Sequence, residues 1–195
     1  MSYHGYIGIV KQHLSNFQQP KILEIGVDRG VMMFPIVTHL GYNKDEFMYI
    51  GVDIMLQESV KLMKVMLDPP VPQSTYLIED SSLNVLPQLA EKGLKFDVVL
   101  LDGDHNYHTV SQELKYLDAI THENSIVIID DFDGKWSERD LWYAERPGYE
   151  ENSRATKPVD TEKHGVKPAV NEWLQTNINW KVQKPVPGEP ILLMK

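Results

Sequence analysis

Cysteine is absent from the 195 residues, which excludes disulfides, thiolate metal ligands and a thiol nucleophile. A basic cluster is absent as well. The 19 Lys and Arg are scattered among 28 Asp and Glu, for a formal charge of −9. Phosphate backbones are bound by basic patches, so no nucleic-acid partner is expected, whereas a cationic ligand is compatible with this balance. No apolar run approaches the ~20 residues that cross a bilayer. The opening MSYHGYIGIVKQHLSNF lacks the apolar centre of a secretory signal. A soluble, cytoplasmic protein with no membrane partner is therefore expected. What is present is ordinary for a globular chain, 42% apolar and 24% charged. The length suits a single domain, 1–195, with one sizeable core.

Apolar spacing lays out the elements. Ile7, Val10, Leu14 and Phe17 predict an N-terminal helix ending before Pro20. Lys21–Ile25 is a strand and Gly26–Gly30 a tight turn. Val31–Leu40 is a helix stopped by Gly41, with Pro35 in its first turns. Met48–Val52 is a strand ending at Asp53, followed by a helix, Glu58–Leu67, closed by Asp68-Pro69-Pro70. Thr75–Ile78 is a third strand, and Leu83, Leu86 and Leu89 mark a helix reaching Gly93. Phe96–Leu101 is a fourth strand, and Tyr107, Val110, Leu114 and Leu117 mark the helix after it. Ser125–Ile129 is a fifth strand. This alternation predicts an α/β protein whose parallel sheet carries helices on both faces and all strand C-termini on one edge. Residues 132–165 show no periodicity. A segment of that length placed after a strand C-terminus reads as an active-site lid or a disordered stretch. Its aromatics Trp136, Trp142 and Tyr143 stand among Arg and Glu over the presumed site. Pro168–Thr176 resumes a helix. Trp180–Val182 and Ile191–Met194 flank the turn Pro185–Pro190, which is too short for a parallel crossover, so these strands must pair antiparallel.

Ligands of open α/β sheets bind beyond the strand C-termini, and acids gather there in this chain. The first loop reads Glu24-Ile-Gly26-Val-Asp28-Arg-Gly30. Gly26 and Gly30 allow a tight turn and close approach of a ligand. The same pattern serves a plain strand–turn–helix corner, and Glu24 and Asp28 disfavour a pyrophosphate. Asp53 is placed to hold two ribose hydroxyls, or to cap a turn. Asp80 and Ser81 would lie beside a nucleoside base, or cap the next helix. The fourth strand unloads Asp102, Gly103, Asp104 and His105, and the fifth unloads Asp130 and Asp131. Neighbouring strands lie ~4.8 Å apart, so these carboxylates come within reach of one ion, and an oxygen set without cysteine favours a hard cation such as Mg²⁺. Helix capping is the alternative for each, above all for Asp104, which reads as a turn residue. His105 is the candidate base. His4, His13, His39, His108 and His122 carry no assignment, and His164 is singled out only by its place late in the lid.

Together these residues resemble a class I S-adenosylmethionine-dependent methyltransferase. Glu24–Gly30 is similar to the first motif of that family, Asp53 to its ribose-binding acid and Asp80-Ser81 to its adenine-side pair. The terminal antiparallel strands resemble its last two. More narrowly, LDGDHNYHTVSQEL (Leu101–Leu114) and VIIDDF (Val127–Phe132) resemble the macrocin O-methyltransferase-like subgroup. The resemblance implies a Rossmann-like, doubly wound, mostly parallel seven-stranded sheet of order 3-2-1-4-5-7-6. It implies donor contacts from Glu24, Gly26, Gly30, Asp53, Asp80, Ser81 and Asp102. It also implies Mg²⁺ on Asp102, Asp130 and Asp131, and catalysis by His105 and Asp102 on a hydroxyl of a small-molecule acceptor, a sugar or a phenol. Asp28 stands where the family's motif has glycine, and the lid aligns with nothing. A metal-independent methyltransferase, a non-catalytic donor-binding or regulatory protein and a nicotinamide dehydrogenase are the rivals. Homo-oligomerisation is left open.

Overall fold

The computed structural model describes residues 4–67, 75–183 and 190–195. The expected stop at Asp68-Pro69-Pro70 and the turn at 185–189 lie outside them. The elements run α1 (His4–Leu14), β1 (Lys21–Ile25), α2 (Met33–Asn43), β2 (Met48–Asp53), α3 (Glu58–Leu67), β3 (Thr75–Glu79), α4 (Ser82–Glu91) and β4 (Phe96–Leu101). They continue with α5 (Tyr107–Leu114), α6 (Leu117–Ile120), β5 (Thr121–Ile129), α7 (Val166–Thr176), β6 (Lys181–Gln183) and β7 (Ile191–Met194).

One seven-stranded sheet results, in the order β3-β2-β1-β4-β5-β7-β6. β1 to β5 are parallel, while β7 runs antiparallel to both β5 and β6. The expected topology is therefore the observed one. All six residues of β4 are buried, as a central strand covered on both faces requires. Alternation sends Val99 and Leu101 into a core shared with Leu86, Val110, Leu114 and Val170, under α4 to α7. It sends Val98 and Leu100 into a second core with Val10, Leu14, Ile36 and Val60, under α1 to α3. Among the described residues no helix is long and apolar enough to cross a membrane.

Several boundaries differ from the sequence expectation, three of them for a visible physical reason. α2 runs through Gly41 to Asn43. A helical glycine costs only ~1 kcal/mol, and the chain end is satisfied by the Asn43 side chain on His39 O (2.6 Å) and by Lys44 N on Leu40 O (2.8 Å). The helix after β4 is two, because Lys115 N and Tyr116 N bond back three residues, to Gln112 O and Glu113 O, which tightens the turn before α6. β5 starts at Thr121 rather than Ser125. Thr121 pairs with Phe96 and Ile126 with Val98, so the intervening residues bulge out of the ladder and hide its alternation.

Candidate active site

Backbone pairing carries the sheet past its strand ends. Gly26 N donates to Val52 O (2.8 Å), Asp102 N to Ile25 O (2.9 Å) and Asp130 N to Leu101 O (3.0 Å). The first residues of these loops are therefore set by the ladder itself. A Cβ on Gly26 would lie 2.1 Å from Asp102 O, and Gly26 has φ +87°. Both facts call for glycine, and the first shows its purpose: it lets the β1 and β4 ends touch.

The acids converge around His105. Single ligand atoms of Asp102, His105 and Asp130 all lie within 4.8 Å of one another. His105 is buried; its Nε2 lies 3.6 Å from Asp102 Oδ1 and its Nδ1 lies 3.4 Å from Asp131 Oδ2. Asp131 has φ +55°, a left-handed conformation that aspartate tolerates better than most residues, and it turns the chain out of β5. Its Oδ1 is buried and has no hydrogen-bond partner among the described residues. Burial and the neighbouring Asp130 hold the Asp102 carboxyl well above the ordinary range. Burial also raises Asp130, with His105 opposing the rise. His105 is fixed from behind: Leu141 N donates to its carbonyl (3.0 Å), and the next residue, Asn106, caps α5 through Thr109 N (2.7 Å).

Beside this cluster lies a cavity of about 440 Å³, a size that suits a small-molecule site. Gly26, Asp28, Asp53, Asp80, Ser81, Asp102 and Asp104 are in its lining. Asp53 accepts from Asp28 N on Oδ2 and from Met55 N on Oδ1, both at 2.9 Å. Burial raises its pKa against those two bonds. Asp28, also left-handed at φ +42°, is held by Gln57 Nε2 (2.8 Å). Ser81 caps α4 on Leu83 N (3.3 Å), as one of its readings expected, and it also lines the cavity.

Two expected donor residues sit elsewhere. Glu24 is buried beneath the sheet edge, where the Tyr49 hydroxyl donates to it and burial pushes its pKa up to about 8. It faces a small void shared with Tyr6, Met32, Asp102 and Asp130 rather than the large cavity. The alternation of β1 places it on the α1–α3 face. Gly30 (φ +75°) is absent from the lining and packs towards Met63 and Val60 of α3, so its glycine serves the turn. Asp131 stands outside the converging set Asp102, His105 and Asp130, behind the imidazole. Asp104, read as a turn residue, lines the cavity and accepts from Thr109 Oγ1 (3.0 Å).

The segment after β5 has little regular structure beyond a 3-10 turn, Tyr143–Glu145, yet it is well tied down. Asp140 accepts from Tyr107 N (2.8 Å), Gly165 N (2.7 Å) and His164 Nδ1 (2.7 Å), so His164 is a fastener. Val166 N and Lys167 N bond to Trp136 O and Ser137 O. Of the three aromatics singled out in the sequence, only Tyr143 lines the cavity, where Arg146, Pro147, Tyr149 and Thr156 join it. Trp136 carries Lys135 and Arg139 over its ring, at 4.4 and 5.1 Å. Gln57, Tyr149 and Arg146 escaped the sequence reading because no local spacing marks them.

A family model described as a methyltransferase domain matches residues 23–132. The chain belongs to this methyltransferase family. No curated protein sequence matches the methyltransferase. Among solved structures, a TDP-rhamnose 3'-O-methyltransferase of calicheamicin biosynthesis superposes with TM-score 0.67 at 18% identity, over 96% of this chain and 76% of that one. The MycE methyltransferase of the mycinamycin pathway, in complex with Mg and SAH, gives 0.57 at 18% identity and covers 100% of this chain and 50% of its own. TomG from Streptomyces achromogenes, an O-methyltransferase in complex with SAM, gives 0.62 at 13% identity, over 100% and 81%. At these identities the likeness is one of fold, and the methyltransferase spans half the length of the MycE chain.

Proposed function

We propose that this methyltransferase transfers the methyl group of S-adenosylmethionine to a hydroxyl of a small molecule, a sugar or a catechol-like phenol, with a divalent cation assisting. The observation that carries the reading is the imidazole of His105 set between Asp102 and Asp131, beside Asp130, at the rim of an acid-lined cavity. Support comes also from the activities of proteins with similar folds, a sugar O-methyltransferase and two methyltransferases seen with Mg and SAH or with SAM.

The residues fit a hard cation. Asp102 and Asp130 crowd each other with raised pKa values, the state of paired carboxylates that lack a counter-charge. Asp102 and Asp130 would hold the ion; Asp131, the third acid expected there, lies outside their converging set with His105 and faces Nδ1 instead. A bound divalent cation would lower the pKa of a coordinated hydroxyl and orient it. The remaining work belongs to the chain. Asp131 Oδ2 faces Nδ1 of His105 and so favours the tautomer protonated there. Nε2 is left free to take the proton of the acceptor hydroxyl. Asp53 binds the donor's ribose, and Asp80 and Ser81 stand at its base. In-line placement of the acceptor oxygen against the methyl carbon supplies most of the acceleration.

Calorimetric titration of the full chain with S-adenosylmethionine and with NAD tests the donor, and affinity for NAD alone would remove the reading. Chelation followed by Mg²⁺ addition, on a panel of sugar and phenol acceptors, tests the ion. Turnover indifferent to chelation would leave a methyltransferase in which Asp130 and Asp131 only shape the site around His105.

A further inference from the structure

The sequence reading places the segment after β5 over the presumed site, and its contacts point to the donor. Its foot is fixed: Asp140 binds the α5 and α7 N-termini, and a Cβ on Gly165 would lie 2.4 Å from Ser137 O. From that foot the chain crosses the donor cavity. Tyr143 and Tyr149, with ring centroids 5.1 Å apart, both line it. The far side reaches the donor half of the sheet. Asn152 Nδ2 donates to Ile54 O (3.0 Å), just past β2, and Arg154 Nη1 lies 3.3 Å from Glu79 Oε1 at the end of β3. Ala155, next in the chain, is buried. Asp28 and Asp53 face the same cavity as these rings, as do Asp102 and Asp104.

We propose that residues 143–156 form a clamp on the methyl donor, with Tyr143 and Tyr149 as its contact surface and Asn152 and Arg154 as its latch, so that release of the spent donor requires the latch to open. This rests on the S-adenosylmethionine reading above. The latch is built to open. One of its contacts is a solvent-exposed ion pair, a kind of contact that contributes little, and the other is a single side-chain-to-backbone bond. The foot, by contrast, is tied by several bonds to two helices. Loop closure over bound reactants commonly limits turnover through product release. The roof also adds aromatic surface to a floor of carboxylates.

The test uses the full chain and S-adenosylhomocysteine, without acceptor. Trypsin reports lid exposure at the Arg154–Ala155 bond in wild type and in Asn152→Ala, since Arg146 and Lys157 precede proline and are not cut, and displacement kinetics report release in every variant. Ligand alone is expected to slow cleavage in the lid several-fold. Asn152→Ala and Arg154→Ala should each speed ligand release several-fold and the double variant more, with thermal melts verifying that the chains stay folded. Tyr149→Ala should weaken ligand binding about 10-fold while Tyr149→Phe retains it. If wild type binds S-adenosylhomocysteine but cleavage and release respond to neither ligand nor latch variants, or protection needs the acceptor, the clamp is overturned. If wild type binds neither S-adenosylhomocysteine nor S-adenosylmethionine, the donor reading itself fails and takes the clamp with it.

Discussion

His105 Nδ1 faces Asp131 Oδ2 at 3.4 Å, inside the protein and behind the converging ligand atoms of Asp102, His105 and Asp130. The two acids of the Asp130-Asp131 pair thus take different neighbours: Asp130 joins Asp102 and His105 in the converging set, and Asp131 faces the other ring nitrogen.

Asp131→Asn keeps the shape but can present an N–H to Nδ1 and favour the other tautomer. We expect kcat to fall by about 10²- to 10⁴-fold, the usual worth of a positioned general base, with donor affinity by calorimetry unchanged. A variant with wild-type kcat would remove the steering role.

Asp53→Asn should weaken donor binding instead. Both carboxylate oxygens accept backbone N–H groups of the flanking loops, and an amide cannot satisfy both. The expected loss is about 10- to 100-fold in donor Kd, in line with hydrogen bonds to charged groups. Equal affinity in calorimetry would count against the ribose assignment.

Gly26→Ala tests the close contact of β1 and β4. The new Cβ would meet Asp102 O at 2.1 Å with φ at +87°, and both chain segments are held by ladder bonds. Destabilisation of at least about 1–3 kcal/mol is expected from the backbone conformation alone, measured as a lower urea midpoint. A stability equal to wild type would show that the two strand ends can separate freely.

Glu113 links stability to pH. It is buried on α5, its Oε1 has no hydrogen-bond partner among the described residues, and burial pushes its pKa from 4.5 up to about 8. The folded chain therefore keeps a proton that the unfolded chain releases. Its contribution is fully present below about pH 4.5, declines as pH rises through the window to about 8, and is lost above it. Glu24 adds a parallel trend in the same window. Glu113→Gln should flatten the curve by up to ~1.4 kcal/mol per pH unit, gaining on wild type at pH 9 relative to pH 5 in urea titrations. Parallel curves for the two proteins would show that Glu113 is not buried as a neutral acid.

Much of the architecture was legible in the chain. β1, α3 and β4 begin and end as their apolar runs do, and the short link between the last two strands forced them antiparallel. The acids at the ends of β4 and β5 announced a site for the same reason, since no core strand needs Asp102, His105, Asp130 and Asp131 in its wake. What stayed hidden depends on contacts distant in sequence. Gly26 looked like a ligand-facing glycine, but its requirement comes from Asp102, reached only through the β1–β4 pairing. Glu24 looked like a donor residue, but strand alternation turns it under the sheet towards Tyr49. The start of β5 was concealed by a bulge that removes periodicity.

The sequence by itself determined the elements, their parallel arrangement and the concentration of charge at one edge, because hydrophobic periodicity is a local property that each segment carries alone. Tertiary structure decided which acids converge with His105, which one faces its other ring nitrogen, and that an aperiodic segment lines the cavity beside them. Those outcomes rest on side chains far apart in the chain, such as Asn152 on Ile54 O and Arg154 on Glu79, whose meeting no local spacing encodes.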